Sequence, residues 1–134
     1  MIDIENEVFD TVALCVLAEE PDAYVTGIYE RMPAKFPCVM LIEKDNRTNI
    51  STQTNASMEN HAVLLYELDV YSNLIKNRKA QCKRIAAIVD EQMQRLGFTR
   101  NMLEPIDNML DASIYRIKGR YQAIVDKNKT IYRR

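Results

Sequence analysis

Three carboxylates, Glu43, Glu67 and Asp69, lie in two strand-like segments and are the nearest this sequence comes to a metal site. Hard oxygen ligands of this kind suit Mg²⁺. Nuclease chemistry of the restriction type would also want an acid-x-lysine step on the second strand of the site, and neither Asp-x-Lys nor Glu-x-Lys occurs in the chain. His61 is the only histidine. A histidine base needs a nucleophile within hydrogen-bond reach, and no serine or cysteine context marks one. Cys15, Cys38 and Cys82 are an odd set without a C-x-x-C pair, so they read as small buried hydrophobes rather than as a disulfide frame or a zinc site. Gly27, Gly97 and Gly119 are too scattered to build a phosphate-cradling loop. The residues therefore predict no catalytic group, no metal and no cofactor, and the expectation is that the chain is not an enzyme.

What remains are surfaces. Between two apolar segments runs a polar arm, residues 46–60, reading NRTNISTQTNASMEN. Structureless loops of this length are uncommon in compact domains and usually have a use. The arm is expected to be the tip of an extended β-hairpin that grips a partner, with Asn46, Arg47, Asn49, Gln53, Asn55 and Met58 as candidate contacts. A basic ladder, Arg116, Lys118 and Arg120, shares one strand face, and the acids Glu67 and Asp69 share another. If the two strands are neighbours, or meet across subunits, the ladders neutralise each other and fix register or partner choice; otherwise they form a solvated face. Lys76, Arg78, Lys79, Lys83 and Arg84 open a helix and serve either solubility or docking to an acidic surface. The basic tail contains Ile131, Tyr132 and Arg133, and an apolar pair in such a tail suits reaching onto a neighbouring subunit.

The elements that must position these groups follow from periodicity. Asp3 can cap a first helix with the stripe Val8, Phe9, Val12, Cys15 and Val16, stopped by Pro21. Strands are expected over 24–30, with Gly27 inside, and over 38–44, apolar enough to be central and covered on both faces. Residues 62–72 alternate, with Leu64, Tyr66, Leu68 and Val70 on one side. Asn73 or Asn77 can cap a second helix ending at Leu96, with Gly97 as its left-handed stop. Its stripe is Cys82, Ile85, Ile88, Val89, Met93 and Leu96. A weaker strand over 98–103 precedes a turn at Pro105 and 107–108, and a last long strand covers 112–125. The order predicts an α+β fold, two helices on one face of a mainly antiparallel sheet with a long hairpin, in a single domain over 1–134.

Composition agrees with such a domain. The 134 residues are 47% hydrophobic, and the net charge of −1 with pI ≈ 5.9 lacks the overall basic signature of a nucleic-acid binder. The acidic start, with Asp3, Glu5 and Glu7, is not that of an export signal, and the longest apolar run, 12–18, is too short for a bilayer. A soluble protein made in a reducing cytoplasm is expected, with neither a membrane nor a specific nucleic acid as partner. The N-x-S/T triplets at Asn46, Asn49, Asn55 and Asn128 then reflect polar composition only.

The opening IDIENEVF, the strand FPCVMLIEKDN, the segment ENHAVLLYELDVYSN, the helix CKRIAAIVDEQMQRLGFTR and the ending IYRIKGRYQAIVDKNKTIYRR together resemble the tail terminator, or tail-to-head joining, proteins of long-tailed phages and prophages. The resemblance runs through nearly the whole chain. It implies an α/β domain that assembles into a ring, usually a hexamer, which caps the finished tail tube, halts tube polymerisation and presents a surface to the head connector. Partners would be further copies of the chain, the tail tube protein and the head–tail connector, and the place in the virion would be the head–tail interface. The region matching 46–60 would carry a long hairpin loop. The alternatives are another small head–tail adaptor or minor capsid protein, or a small nucleic-acid-binding regulator using the basic helix start and tail.

Overall fold

The computed structural model describes residues 1–48, 61–107 and 111–132. The order is α1 (Glu5–Glu19), β1 (Tyr24–Thr26), β2 (Cys38–Thr48), β3 (His61–Ser72), α2 (Arg78–Leu96), β4 (Thr99–Ile106), β5 (Tyr115–Asp126) and β6 (Ile131–Tyr132). The strands form one sheet in the order β1-β2-β3-β5-β4, with β6 also paired to β5. All pairs are antiparallel except β1 with β2. The fold is α+β.

Alternation decides how the sheet is used. Leu64, Tyr66, Leu68 and Val70 of β3 lie opposite Ala123, Tyr121, Gly119 and Ile117 of β5. All of these but Gly119 meet Val8, Val12 and Val16 of α1 and Cys82, Ile85, Val89 and Met93 of α2 in one core cluster. Tyr66 adds an edge-on contact with the Phe98 ring at 5.2 Å. On the other face a smaller cluster joins Cys38, Met40, Tyr71 and Ile114. The start of β2 is thus covered on both sides, as its unbroken apolar run predicts.

Gly97 ends α2 as expected, at φ 104°, with its N–H on the Gln94 carbonyl and the Phe98 N–H on that of Met93. These paired bonds satisfy two carbonyls that the helix end leaves open. Gly119 needs its missing side chain for a different reason: a Cβ there would come within 2.9 Å of Leu103 Cδ1. Gly119→Ala is expected to lower stability by about 1 kcal/mol, the mild end of overpacking because a terminal methyl can swing aside; denaturant titration reads it.

Local details depart from the sequence reading. Asp3 sits one residue before the Ile4 cap position and accepts the Glu5 N–H at 3.0 Å instead of capping α1 itself. Asn77 occupies the cap position of α2, but its left-handed backbone (φ 66°) leaves the side chain without a capping bond. The first strand stops at Thr26, because the Thr26 hydroxyl takes the Ile28 N–H in a side-chain turn; Gly27 lies outside it. Pro105 is within β4, not at a turn, which an edge strand tolerates.

Candidate assembly surface

The β3–β5 register sets Glu67 opposite Arg120, Asp69 opposite Lys118 and Tyr71 opposite Arg116. The two ladders are therefore neighbours in one sheet of one subunit. Arg116 reaches Asp69 Oδ1 through Nε at 2.9 Å and Nη2 at 2.8 Å. Lys118 Nζ sits 2.6 Å from Glu67 and 3.6 Å from Asp69, and Arg120 closes the row 3.3 Å from Glu67. The Arg116 guanidinium also lies over the Tyr71 ring, 5.2 Å from its centre.

Burial grades the row. The Asp69 side chain is 2% exposed and that of Arg116 19%, while Arg120 keeps 50%. Burial pushes the Asp69 carboxyl above its usual value, against the pull of Arg116 and Lys118. Glu67 is also penalised by burial, but its bonds to Lys118 outweigh this and hold it below the ordinary range. Arg116 and Lys118 are thus tied down inside the subunit, and only Arg120 is half open to solvent.

Glu43 does not join these acids. Its partner in the ladder is Tyr66, on the helix-facing side, whereas Ile42 pairs with Glu67 on the other. The three carboxylates considered for Mg²⁺ are therefore split between the two faces of the sheet. Glu43 accepts the Tyr66 hydroxyl at 3.3 Å, and burial, with Glu5 and Asp3 nearby, raises its pKa. A raised pKa means that the folded state binds a proton more readily than the unfolded one, so this carboxyl costs stability once ionised. Glu43→Gln is expected to raise the melting temperature at pH 7. The gain should shrink as pH falls through the folded pKa toward 4.5, and thermal melts across that window read it.

The arm begins later than the sequence suggests. β2 and β3 stay paired from Cys38 with Tyr71 to Thr48 with Ala62, past a bulge at Lys44. Asn46 and Arg47 are strand residues, and Asn46 Nδ2 donates to the Ile2 carbonyl at 2.7 Å, tying down the N-terminus. Asn49, Gln53, Asn55 and Met58 lie outside the described residues, as does Arg133. His61 opens β3, opposite Asp126.

The tail also folds otherwise than expected. Asp126 Oδ1 takes the N–H groups of Asn128 (2.9 Å) and Thr130 (2.8 Å), which reverses the chain. Ile131 then pairs with Val125 and packs against the core of its own subunit. The side-chain turn thus brings this apolar residue onto the core of its own subunit, where it is partly buried.

Other exposed features went unread in the sequence. Leu14 and Leu17 of α1 are 71% and 39% exposed, and Ile28, Tyr29, Met32 and Ile75 are exposed in loops. Between α2 and β4 lies an open groove of about 370 Å³, lined by apolar Ala86, Ala87, Leu103, Pro105 and Ile117 and by the charged Lys79, Lys83, Asp90, Arg100 and Glu104, of which Arg100 and Asp90 pair at 3.2 Å. The signal for the leucines was present: at 100° per residue they fall opposite Val8, Val12 and Val16.

Among the described residues no group of three His, Cys, Asp or Glu could hold a metal ion, and no helix is long and apolar enough to cross a membrane. The arrangement defines an α+β protein whose most developed features are surfaces and a long hairpin. No protein-family model matches the chain, and no curated protein matches it.

Proposed function

We propose that this chain is a virion structural protein, a tail terminator that assembles into a ring, caps the tail tube of a long-tailed phage or prophage and joins it to the head connector. It would be assembled in the bacterial cytoplasm and end at the head–tail interface. The sequence resemblance along the chain suggests the reading. The observation that carries it furthest is the β2–β3 ladder, which runs without a break in pairing direction to Thr48 and Ala62 and so delivers the polar segment 49–60 at the end of two long strands. Such a stalk suits a grip on a tube or a neighbouring subunit.

Light scattering on the purified chain tests the assembly: a ring-former runs as a multiple of 15.6 kDa that sharpens with concentration. A monomer at every concentration would overturn the ring. The arm has its own test. Replacing residues 49–60 by a short glycine-containing turn is expected to leave the melting temperature nearly unchanged, because loop length carries a weak entropic cost. Tail completion in an infected or induced host should be lost. A variant that fails to fold would make the segment part of the core instead of a grip.

A further inference from the structure

We infer that subunits join head to tail by seating the outer face of α1 from one copy in the groove between α2 and β4 of the next. This rests on the reading that the chain assembles with itself and names the surfaces that do so.

The two surfaces differ in the sign of their charge. Residues 1–20 contain no lysine, arginine or histidine, while Glu7, Asp10 and Glu19 are exposed on α1. The start of α2 is the reverse: Lys76, Lys79, Lys83 and Arg84 are exposed there, and no acid occurs between residues 76 and 89. Two segments of one chain thus carry opposite charge. Glu7 is paired with Lys129 and Arg84 with Glu20 inside the subunit, so Asp10 and Glu19 on one side and Lys76, Lys79 and Lys83 on the other are the charges left to meet a partner. Complementarity of this kind steers encounter and rejects wrong partners.

The two surfaces also fit in shape. Glu7, Asp10, Leu14 and Leu17 follow one another at steps of three and four, so they share one face of α1, with the leucines at its C-terminal half. The groove offers the counterpart, with apolar Ala86, Ala87, Leu103 and Pro105 in its lining. Asp90 and Glu104 line it too, and Asp90 pairs with Arg100 at 3.2 Å, so Lys79 and Lys83 are the groove cations open to an acidic partner. Apolar anchors seated in a groove with charged groups at the rim are the usual anatomy of an interface. Small alanines on α2 leave room for leucine side chains.

The two patches cannot meet within one subunit. Arg84 turns toward α1 and pairs with Glu20, whereas Lys79, Lys83, Ala87 and Asp90 lie on the flank of α2 facing β4. α1 and the groove are on opposite flanks of α2. One patch meeting a different patch on the next copy is a heterologous contact, the kind that closes into rings when the rotation allows. The edge of β4 is poorly suited to strand pairing: Pro105 lacks an N–H, and the ladder slips between Arg100 and Met102. That leaves side-chain docking on the groove as the contact on this side.

The test uses two variants at exposed helix positions, Leu14→Arg on α1 and Ala87→Arg in the groove, so that two defective surfaces repel each other. Both should keep the wild-type circular dichroism and fold. Each alone is expected to reduce the wild-type assembly to monomer in light scattering. Mixed in equal amounts they should recover as a dimer and go no further, because one partner keeps a sound α1 and the other a sound groove. If wild-type protein assembles and neither variant changes its mass, the interface lies elsewhere and the inference fails while the ring reading stands. If the single variants dissociate but the mixture does not pair, the contact is not head to tail and the inference fails as well. A wild-type chain that stays monomeric at low salt, where charged contacts are strongest, overturns both. Should that monomer instead bind a DNA duplex through Lys79 and Lys83, with affinity falling steeply in salt, the groove cations serve nucleic acid.

Discussion

Ile85→Ala is expected to lower the stability of the subunit by about 2–5 kcal/mol, the range for truncating a large aliphatic side chain in a packed core. Ile85 is fully buried and sits in the cluster where α2 meets Leu64, Leu68 and Tyr121 of the sheet. The loss has two parts, the transfer of the missing methylenes and the cavity they leave. The neighbours that could collapse into that cavity are held by β3 and β5, which are paired along their whole length. Denaturant unfolding should show a lower midpoint with an unchanged slope. A near-neutral result would mean that α2 presents another face to the sheet.

The second large effect is expected at Asp69. Asp69→Ala leaves the Arg116 guanidinium without the carboxylate it holds through Nε and Nη2, and removes one of the two acids near Lys118. Breaking a buried pair from one side costs about 3–5 kcal/mol, because the remaining charge stays desolvated. Arg116 keeps part of its side chain in solvent and can swing outward, so the lower end, about 3 kcal/mol, is expected here. The double variant Asp69→Ala with Arg116→Ala should recover part of the loss, and the cycle of four proteins isolates the pair. A loss no larger than that of an exposed pair, about 0–1 kcal/mol, would show that the row is hydrated and contributes little.

The same geometry changes how the ladder bears on assembly. Reversing Arg116 would break the ion pair with Asp69 and lower the stability of the subunit, which would confound any reading of subunit contacts. Arg120 is the useful probe, since half its side chain faces solvent while it touches Glu67 at 3.3 Å. Arg120→Glu should lower the melting temperature only slightly. Any larger change in the mass of the assembly would place this end of the row at an interface, and an unchanged mass leaves it as a solvated face.

Local pattern was enough to determine a good deal. The stripe of α2 and its stop at Gly97, the alternation of the strands after the arm and at the C-terminus, the double coverage at the start of β2 and the α+β class all rest on periods of two and three to four residues, or on one glycine in the left-handed region. Each of these leaves its signal in residues close in sequence. What lies far apart in sequence was decided only in the tertiary structure. The acidic and basic ladders were both legible, but that they meet within one subunit follows from β5 returning beside β3 and from a register set by the helix-side core. A slip of one residue would have turned every charge to the opposite face. Glu43 parted from Glu67 and Asp69 for the same reason, because the register of β2 against β3 is a packing outcome. An apolar pair in a basic tail suggests a segment that reaches outward, since a sequence names an apolar residue but not the surface that will bury it; the turn at Asp126 brings Ile131 onto its own core. Leu14 and Leu17 are the converse case. Periodicity places them away from the stripe of α1, but only the packed subunit, with its valines already buried against the sheet and α2, shows that this chain leaves them uncovered.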